Sequence, residues 1–581
     1  MKQLKLPDKK LKELQEFLLG RFNDLDGMRS SLDTEILDDI KYYNGEDENI
    51  DNKQSWEYKY KIPYIYTIVQ TVVARLKESL FGTQNYVRIF TEKEGMSDYE
   101  KDLEKFVQQV LDSIKFKKRA RDFLEDALVQ RTTWLELVPM LYNDKGKKSF
   151  QGVDFISHKW FDVWFDTEVA EIKDTDVFIR KIQKLYKLQM QDGVYFNLDK
   201  LEDTTFPTDM DNILDTEFQA KQGKSYNRVN DPVAKVELLE YHGIYNVGTD
   251  TKPDFKNVLC TIANRSVLIR VEEKDMQTSR KTLLFPIRPL KQANSLIGKS
   301  IPQLTKDLQK ELNEVRSLRS QNTKLVSKLL FSYNKDGDID LNELFAGGGN
   351  AIARGDNPND VTIFPIPNLI QALSYVGSEI IQDMQQITGA VDYVMGTSAG
   401  RGITDTATGV KTITEQALFK FSAMASNVQG DITDFINYIF VIYYEYGQKE
   451  MLEQFPSLQA YLMQPLKAIE DNYFIDIGLK DLTQRRDVER MQFINMINVI
   501  AGLVQQAGGD TKELLKQVMS RFDIPNTDKI LNASGGTNQL MQMLQQAGGK
   551  DNKGGSQMAN PQASKDNTVN EQTHQANMDQ H

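Results

Sequence analysis

Residues 300–329, SIPQLTKDLQKELNEVRSLRSQNTKLVSKL, hold one helical period almost without a break. Leu304, Leu308, Leu312, Val315, Leu318, Leu325 and Leu329 recur at steps of three and four, with Asn322 interrupting the row. That spacing places side chains on one face of an α-helix. The start is marked as well: Ser300 with Gln303 forms an S-x-x-Q capping box, and Pro302 falls in the first turn, where a missing N–H is tolerated. Such a helix would be roughly 40 Å long at about 1.5 Å per residue, with charged residues on the remaining circumference. A narrow apolar stripe on so long a rod predicts neighbours packed side by side; a core helix of a monomeric bundle is the other reading of the same pattern.

Elsewhere the period changes. Residues 1–45 and 64–81 read as helices, the second with Ile65, Ile68, Val69, Val72, Val73, Leu76 and Leu80 on a broad apolar face, and a further helical stretch covers 98–131. From 134 to 290 the runs TWLELVPML, VDFISH, DVFIRKIQKL, KVELLEYHGIY, NVLCTIA and SVLIRVEE read as short strands, with an exposed Asp-, Asn- and Thr-rich excursion over 197–232. The fold class expected is therefore mainly α with an α+β half. After the rod come a short β-like insert (331–366), a helix over 368–388, and a third helix over 410–447. That third helix carries Ile413, Ala417, Phe421, Met424, Val428, Ile432, Phe435 and Ile439 on its apolar side. More helix is expected at 483–507, 511–521 and 537–546. Residues 547–581 contain no aromatic and one branched aliphatic, Val569, too little apolar surface to order the segment.

Composition narrows the function. A length of 581 residues suggests several domain-sized units. The longest nearly apolar stretch, FINYIFVIYY (435–444), is about half of what a bilayer crossing requires, so no membrane span is expected. The N-terminus lacks the unbroken apolar segment of a secretory signal, which predicts a chain that stays in the cytosol where it is made. Cys260 is the sole cysteine, which excludes an internal disulfide and a cysteine-based zinc cage. The net charge of -12 argues against coating nucleic acid by general attraction. Of four histidines, His574 and His581 fall in the tail, and His158 and His242 stand some eighty residues apart, so a histidine-based metal or acid–base site is not expected.

Several stretches resemble chemical motifs and fail on spacing. The loop GTSAGRGITDTATGVKT (396–412) is rich in glycine and hydroxyls, but six residues separate Gly402 from Gly409, and Val410 separates Gly409 from Lys411. A phosphate-cradling G-x-x-x-x-G-K-[ST] loop allows neither. SYNKDGDIDLNE (332–343) aligns with a calcium loop through Asn334, Asp336, Gly337, Ile339 and Glu343, yet begins with Ser332 and runs within four residues into Gly347-Gly348-Gly349. A solvated turn between strands accounts for the same residues. Paired carboxylates such as FDVWFDTE come without a partner histidine or glycine elbow. Tyr64 with Tyr66, or Trp160 with Trp164, could be an aromatic platform or ordinary half-buried core. No catalytic residue, metal ligand or cofactor site is expected.

The stretch LLFPIRPLKQANSLIGKSIPQLTKDLQKELNEVRSLRSQN resembles the portal proteins of tailed double-stranded DNA bacteriophages. The matching features are the proline-bearing strand Phe285 to Pro289, the G-x-S turn Gly298 to Ser300, then Leu308-Gln309, Leu312-Asn313, Arg316 and Asn322 along the helix. KVELLEYHGIY, FISHKWFDVWFDTEVAEIKDTDVFIRK and DTATGVKT resemble further family segments in the same order, spanning about residues 60–490. The family often has glycine near ALVQRTTWLEL, where this chain has Arg131; the first sixty residues and the tail after 547 match no part of it.

The resemblance implies a homo-oligomeric ring of twelve copies around a channel, with an N-terminal region and α+β wing over 1–296. The first stem helix would cover 297–330, a clip 331–366, the second stem helix 367–389, a channel loop 390–409, a long helix returning to the wing 410–482, and a helical crown 483–546. The ring would sit at one capsid vertex of the virion, assembled in the host cytoplasm. Double-stranded DNA would pass through it, the terminase motor and head–tail adaptor proteins would dock on it, and the major capsid protein would surround it. Channel-loop candidates are Thr397, Ser398, Gly400, Arg401, Gly402 and Thr404, with Arg401 the one cation there. Stem packing falls to Leu304, Leu308, Leu312, Val315, Leu318 and Leu325, and clip docking to Asp336, Asp338, Asp340 and Glu343. The basic stem residues Lys306, Lys310, Arg316, Arg319, Lys324 and Lys328 are expected in ion pairs between subunits. A non-channel virion scaffold or adaptor shares the helices and tail without closing a ring.

Overall fold

Alternating charge and leucine at the N-terminus builds a two-residue strand, β1 (Lys2–Gln3), and a long helix, α1 (Asp8–Tyr43). The structure is a computed structural model. It describes residues 2–477 except 5, 48–51, 53, 55–56, 83–85, 92–96, 145–146, 192, 204–234, 249–251, 274–281, 328–329, 335–360, 391–406, 460–462 and 464–472, and residues 478–581 lie outside it. Helix α2 (Tyr64–Phe81) buries every residue expected on its apolar face, from Ile65 to Leu80. After β2 (Val87–Thr91), the helical stretch expected over 98–131 is two helices, α3 (Ser97–Ser113) and α4 (Phe116–Val129). The break is at Lys115, whose φ of 55° takes the backbone out of the right-handed well that a helix needs.

The runs read as strands are strands: β3 (Thr133–Asp144), β4 (Lys147–His158), β5 (Val163–Phe165) and β6 (Val177–Lys184). A single-turn helix, α5 (Leu185–Gln189), precedes β7 (Lys235–Asn246), β8 (Phe255–Ala263), β9 (Val267–Glu273) and β10 (Leu284–Ile287). The rod is α6 (Ile301–Val326), and the insert that follows supplies β11 (Leu330–Tyr333) and β12 (Val361–Phe364), paired antiparallel. Helices α7 (Ile370–Thr388), α8 (Ala407–Tyr446) and α9 (Gln448–Gln454) and the strand β13 (Tyr473–Ile477) complete the described elements.

One sheet has six strands in the order β1-β9-β8-β7-β6-β5, another three in the order β10-β3-β4, and β13 pairs with β2. Leu14, Leu18, Phe22 and Leu25 of α1 lie on the six-stranded sheet, against Trp164, Phe178, Leu239, Tyr241 and Cys260. The larger core gathers around α8, whose Phe421, Met424, Val428, Ile432, Phe435 and Ile439 are buried as the period requires. Positions 413 and 417 fall outside the described side chains. Phe435 stacks on Phe116 at 5.4 Å and meets Phe155 and Phe285 edge-on. The described chain is thus a mixed α and β protein, and these elements lie in one unit, Met1–Thr483. No helix of the described residues is long and apolar enough to cross a membrane.

Candidate functional site

The G-x-S turn at the head of α6 is fixed from both sides. A Cβ on Gly298 would lie 2.5 Å from the Arg131 carbonyl oxygen and 2.9 Å from that of Leu290, so backbone fills the space a side chain would need. The Gly298 N–H donates to Thr132 Oγ1 at 3.1 Å, and that hydroxyl donates to the Leu296 carbonyl. Ser300 Oγ caps the helix by accepting the Gln303 N–H at 3.0 Å. The reciprocal arm of the capping box is not made, since Gln303 Oε1 is buried without a hydrogen-bond partner. Instead the Ser300 hydroxyl donates to Asp39 Oδ2 of α1 at 2.8 Å.

Arg131 lies against this turn through its backbone carbonyl. Its φ is 69°, in the left-handed region that favours glycine. Its buried guanidinium reaches Glu35 Oε2 at 2.9 Å and Asp39 Oδ2 at 3.3 Å. Two charge-assisted contacts offset the backbone strain and bind α1 to the turn. Burial raises the Asp39 pKa above the ordinary carboxylate value even with these partners around it. Lys306 joins the group, 2.8 Å from Asp38 and 3.4 Å from Asp39. Its ion pair therefore lies within the chain, which corrects the expectation of a pair between subunits.

Around α6 the expected single apolar stripe divides. Leu312 and Val315 are buried and Leu308 is half-buried, on the side packed against Leu373, Val376, Ile380 and Met384 of α7. Leu304, Leu318 and Leu325 belong to the same row yet are exposed, Leu318 by 44%. Leu329 lies outside the described residues. Asn322, the apparent interruption, organises the start of α7: its Oδ1 accepts the Leu369 N–H and its Nδ2 donates to the Pro367 carbonyl, both at 3.0 Å. Arg319 donates to Ser374 Oγ of α7.

A second buried face of α6 is polar. Thr305, Gln309, Asn313 and Ser317, at steps of four, are each buried to 3% exposure or less. Segment 58–65, a non-helical stretch to Pro63 and then the start of α2, runs along this row: the Tyr60 N–H donates to Ser317 Oγ, Ile62 N–H to Asn313 Oδ1 and Ile65 N–H to Gln309 Oε1. In return Gln309 Nε2 donates to the Ile62 carbonyl, and Asn313 Nδ2 donates to Asp47 Oδ2. Side chains thus satisfy a backbone that has no strand beside it. The step of four is present in the sequence, but nothing local marks its partner segment, which lies some 250 residues away.

The other expected residues fall as follows. Lys310 pairs with Asp307 one turn back and lies over the Tyr42 ring, Arg316 lies over Tyr60 and Lys324 over Tyr58. Trp160 and Trp164 are core, each indole N–H donating to α1, at Asp33 and Asp26 respectively. Tyr64 accepts from Gln385 at its hydroxyl, whereas Tyr66 is exposed and packs on Tyr43. The channel-loop residues Thr397, Ser398, Gly400, Arg401, Gly402 and Thr404 lie outside the described residues, as do Asp336, Asp338, Asp340 and Glu343 of the clip, Lys328, and the crown and tail.

One constellation has no local signature in the sequence. Glu136 of β3 lies 2.8 Å from His158 Nε2 of β4, and Lys181 of β6 donates to Glu136 Oε1 at 2.8 Å and to Glu240 Oε2 of β7 at 2.5 Å. His242 of β7 is beside them, and ligand-capable atoms of Glu136, Glu240 and His242 lie within 4.8 Å of one another. The expectation that no carboxylate has a histidine partner is corrected: sheet pairing closes a gap that chain separation concealed. Burial opposes charge on Glu136, but the Lys181 ammonium and the His158 hydrogen bond hold its carboxyl well below the usual range. Burial likewise opposes charge on Lys181, and the Glu240 and Glu136 carboxylates outweigh it, keeping its pKa above the ordinary lysine value. A metal ion here would have to displace an ammonium already held between two carboxylates, so the group reads as an internal ion network joining the three-stranded sheet to the six-stranded one.

No known protein-family model matches the chain, and no curated protein matches it in sequence.

Proposed function

We propose that this chain is the portal subunit of a tailed double-stranded DNA phage: a ring-forming conduit at one capsid vertex, through which the genome enters and later leaves. The observation that carries the reading is the exposed row Leu304, Leu318 and Leu325 on a rod whose other sides are already covered by α7 and by segment 58–65. Leu369 at the N-cap of α7, and Tyr375 and Ile387 within it, are exposed as well, Tyr375 by 72%. Large apolar side chains aligned on a long helix pair are the contacts that identical neighbours would cover, and a contact between unlike faces closes into a ring when its rotation allows.

In this reading the six-stranded sheet with α1 belongs to the wing, α6 and α7 are the stem, β11 and β12 are the base of the clip, and the loop before α8 faces the bore. The portal performs no chemistry of its own; the terminase motor hydrolyses ATP and docks on the clip, where head–tail adaptors later replace it. A net charge of -12 favours passage over grip, because each added phosphate contact raises affinity and would slow a moving duplex. The loop's glycines and small hydroxyls would keep bulk out of the bore, and we propose Arg401 as a weak, transient phosphate contact. Negative-stain electron microscopy of the purified protein tests the proposal. End-on views should show a closed annulus, expected at twelve subunits; a compact single copy under every assembly condition overturns it.

A further inference from the structure

The side of α6 opposite segment 58–65 carries a repeat of its own. Leu304, Glu311, Leu318 and Leu325 stand at seven-residue steps, so they form a line along the rod, with Asp307 and Glu314 between them. All six are exposed, Asp307 by 89% of its side chain. Leu318 is nine residues from Gln309, about 180° round a helix of 3.6 residues per turn. The ridge therefore points away from the face on which segment 58–65 is held, and no other element covers it among the described residues.

That opposite face has the complementary chemistry. Tyr58 and Tyr60 stack with ring centroids 5.7 Å apart, Lys324 Nζ lies 5.3 Å from the Tyr58 ring and Arg316 6.0 Å from the Tyr60 ring. Tyr60 is 40% exposed and Lys324 is exposed. An acidic, leucine-lined ridge and a basic, tyrosine-lined face thus occupy opposite sides of one rod. One copy cannot bring them together; two copies side by side can.

We propose that the Leu304–Leu325 ridge of one copy docks on the Tyr58, Tyr60, Arg316 and Lys324 face of the next, so that the stem contact is head-to-tail and repeats around the ring. This rests on the ring reading above and names its contact. The carboxylates centre near residue 311 and the cations near residue 320, so opposing them displaces neighbouring rods by about nine residues, roughly 13 Å at 1.5 Å per residue. Neighbouring stems are therefore inclined rather than level. Leucine against tyrosine supplies apolar contact, and the acid–base match fixes direction and rejects a ridge-to-ridge pairing.

Charge reversal and cross-linking test it on the full-length protein. Glu311→Lys with Glu314→Lys should weaken ring assembly by about tenfold or more, because like charges then face each other. Adding Arg316→Glu and Lys324→Glu to that variant should restore it. A Glu311→Cys, Tyr60→Cys double variant treated with a short bismaleimide should give a ladder of linked multimers, while Glu311→Cys alone should give none; the native Cys260 is buried and adds no background. Circular dichroism of each variant should show that the fold is kept, as expected for positions outside the buried core. Rings that form as in wild type despite the first reversal, no rescue by the second, or linked dimers from Glu311→Cys alone overturn the contact and leave the ring reading standing. A wild-type protein that forms no oligomer overturns both.

Discussion

At single residues the sequence motif and its cause come together. Gly298 is glycine because two carbonyl oxygens occupy the place of a Cβ. Gly298→Ala should therefore lower stability by about 2–4 kcal/mol, measured by chemical denaturation, since neither backbone neighbour can move as a flexible side chain would. Arg131 shows the reverse case, a side chain accepted at a left-handed position because its charge ties α1 to the turn. Asp126 gives a prediction in pH. Burial pushes its carboxyl up to about 6 from an ordinary 3.8. Between those values the folded chain holds a proton that the unfolded chain has released, so this group favours the fold below pH 4 and its contribution is lost as pH rises through 6. Nuclear magnetic resonance titration should place the Asp126 midpoint near 6. Asp126→Asn should gain stability relative to wild type as pH rises across that window; a wild-type midpoint near 4 would contradict it.

At the scale of elements, period alone located most of what is described. The apolar face of α2, the strands from Thr133 to Ile287 and the two ends of the insert between α6 and α7 all follow from local spacing. Two elements depart from their period: a left-handed Lys115 splits a helix whose pattern runs on across it, and α7 covers only part of the apolar row on α6. The polar face of α6 is the element whose role depends most on a distant segment. Asn313→Ala removes bonds to Ile62 and Asp47 together. It should cost about 1–3 kcal/mol, the usual range for a buried polar group left without its partner. Limited proteolysis should then cut within residues 58–63 faster than in wild type; an unchanged cleavage rate there would show that the row does not hold the segment.

For the whole molecule, the proposed function depends on copies that a single chain does not contain. If the chain is a portal, substitution of the one cation in the channel loop should act on DNA handling and not on assembly. Arg401→Ala is expected to leave ring formation unchanged and to reduce retention of a full-length genome, read as the DNA length in purified particles. Particles that package and keep normal genomes would remove Arg401 from that role. The acidic balance of the chain should meanwhile keep purified rings from holding duplex DNA at physiological salt, because a net charge of -12 supplies repulsion over most of the surface.

The sequence by itself determined most of the described secondary structure and the Ser300 cap of α6. Periods of two and 3.6 residues, a Ser300 before Pro302 and a glycine in the turn are properties of neighbours in the chain, and they act before any distant segment arrives. Tertiary structure alone decided which side of each element is covered and by what. Segment 58–65 takes the polar face of α6, β13 finds β2, and Lys181 and His242 meet Glu136 across two sheets. Each of those partners is set by packing between residues that no local period links, so the exposed ridge of α6 emerges only after every other side has been filled.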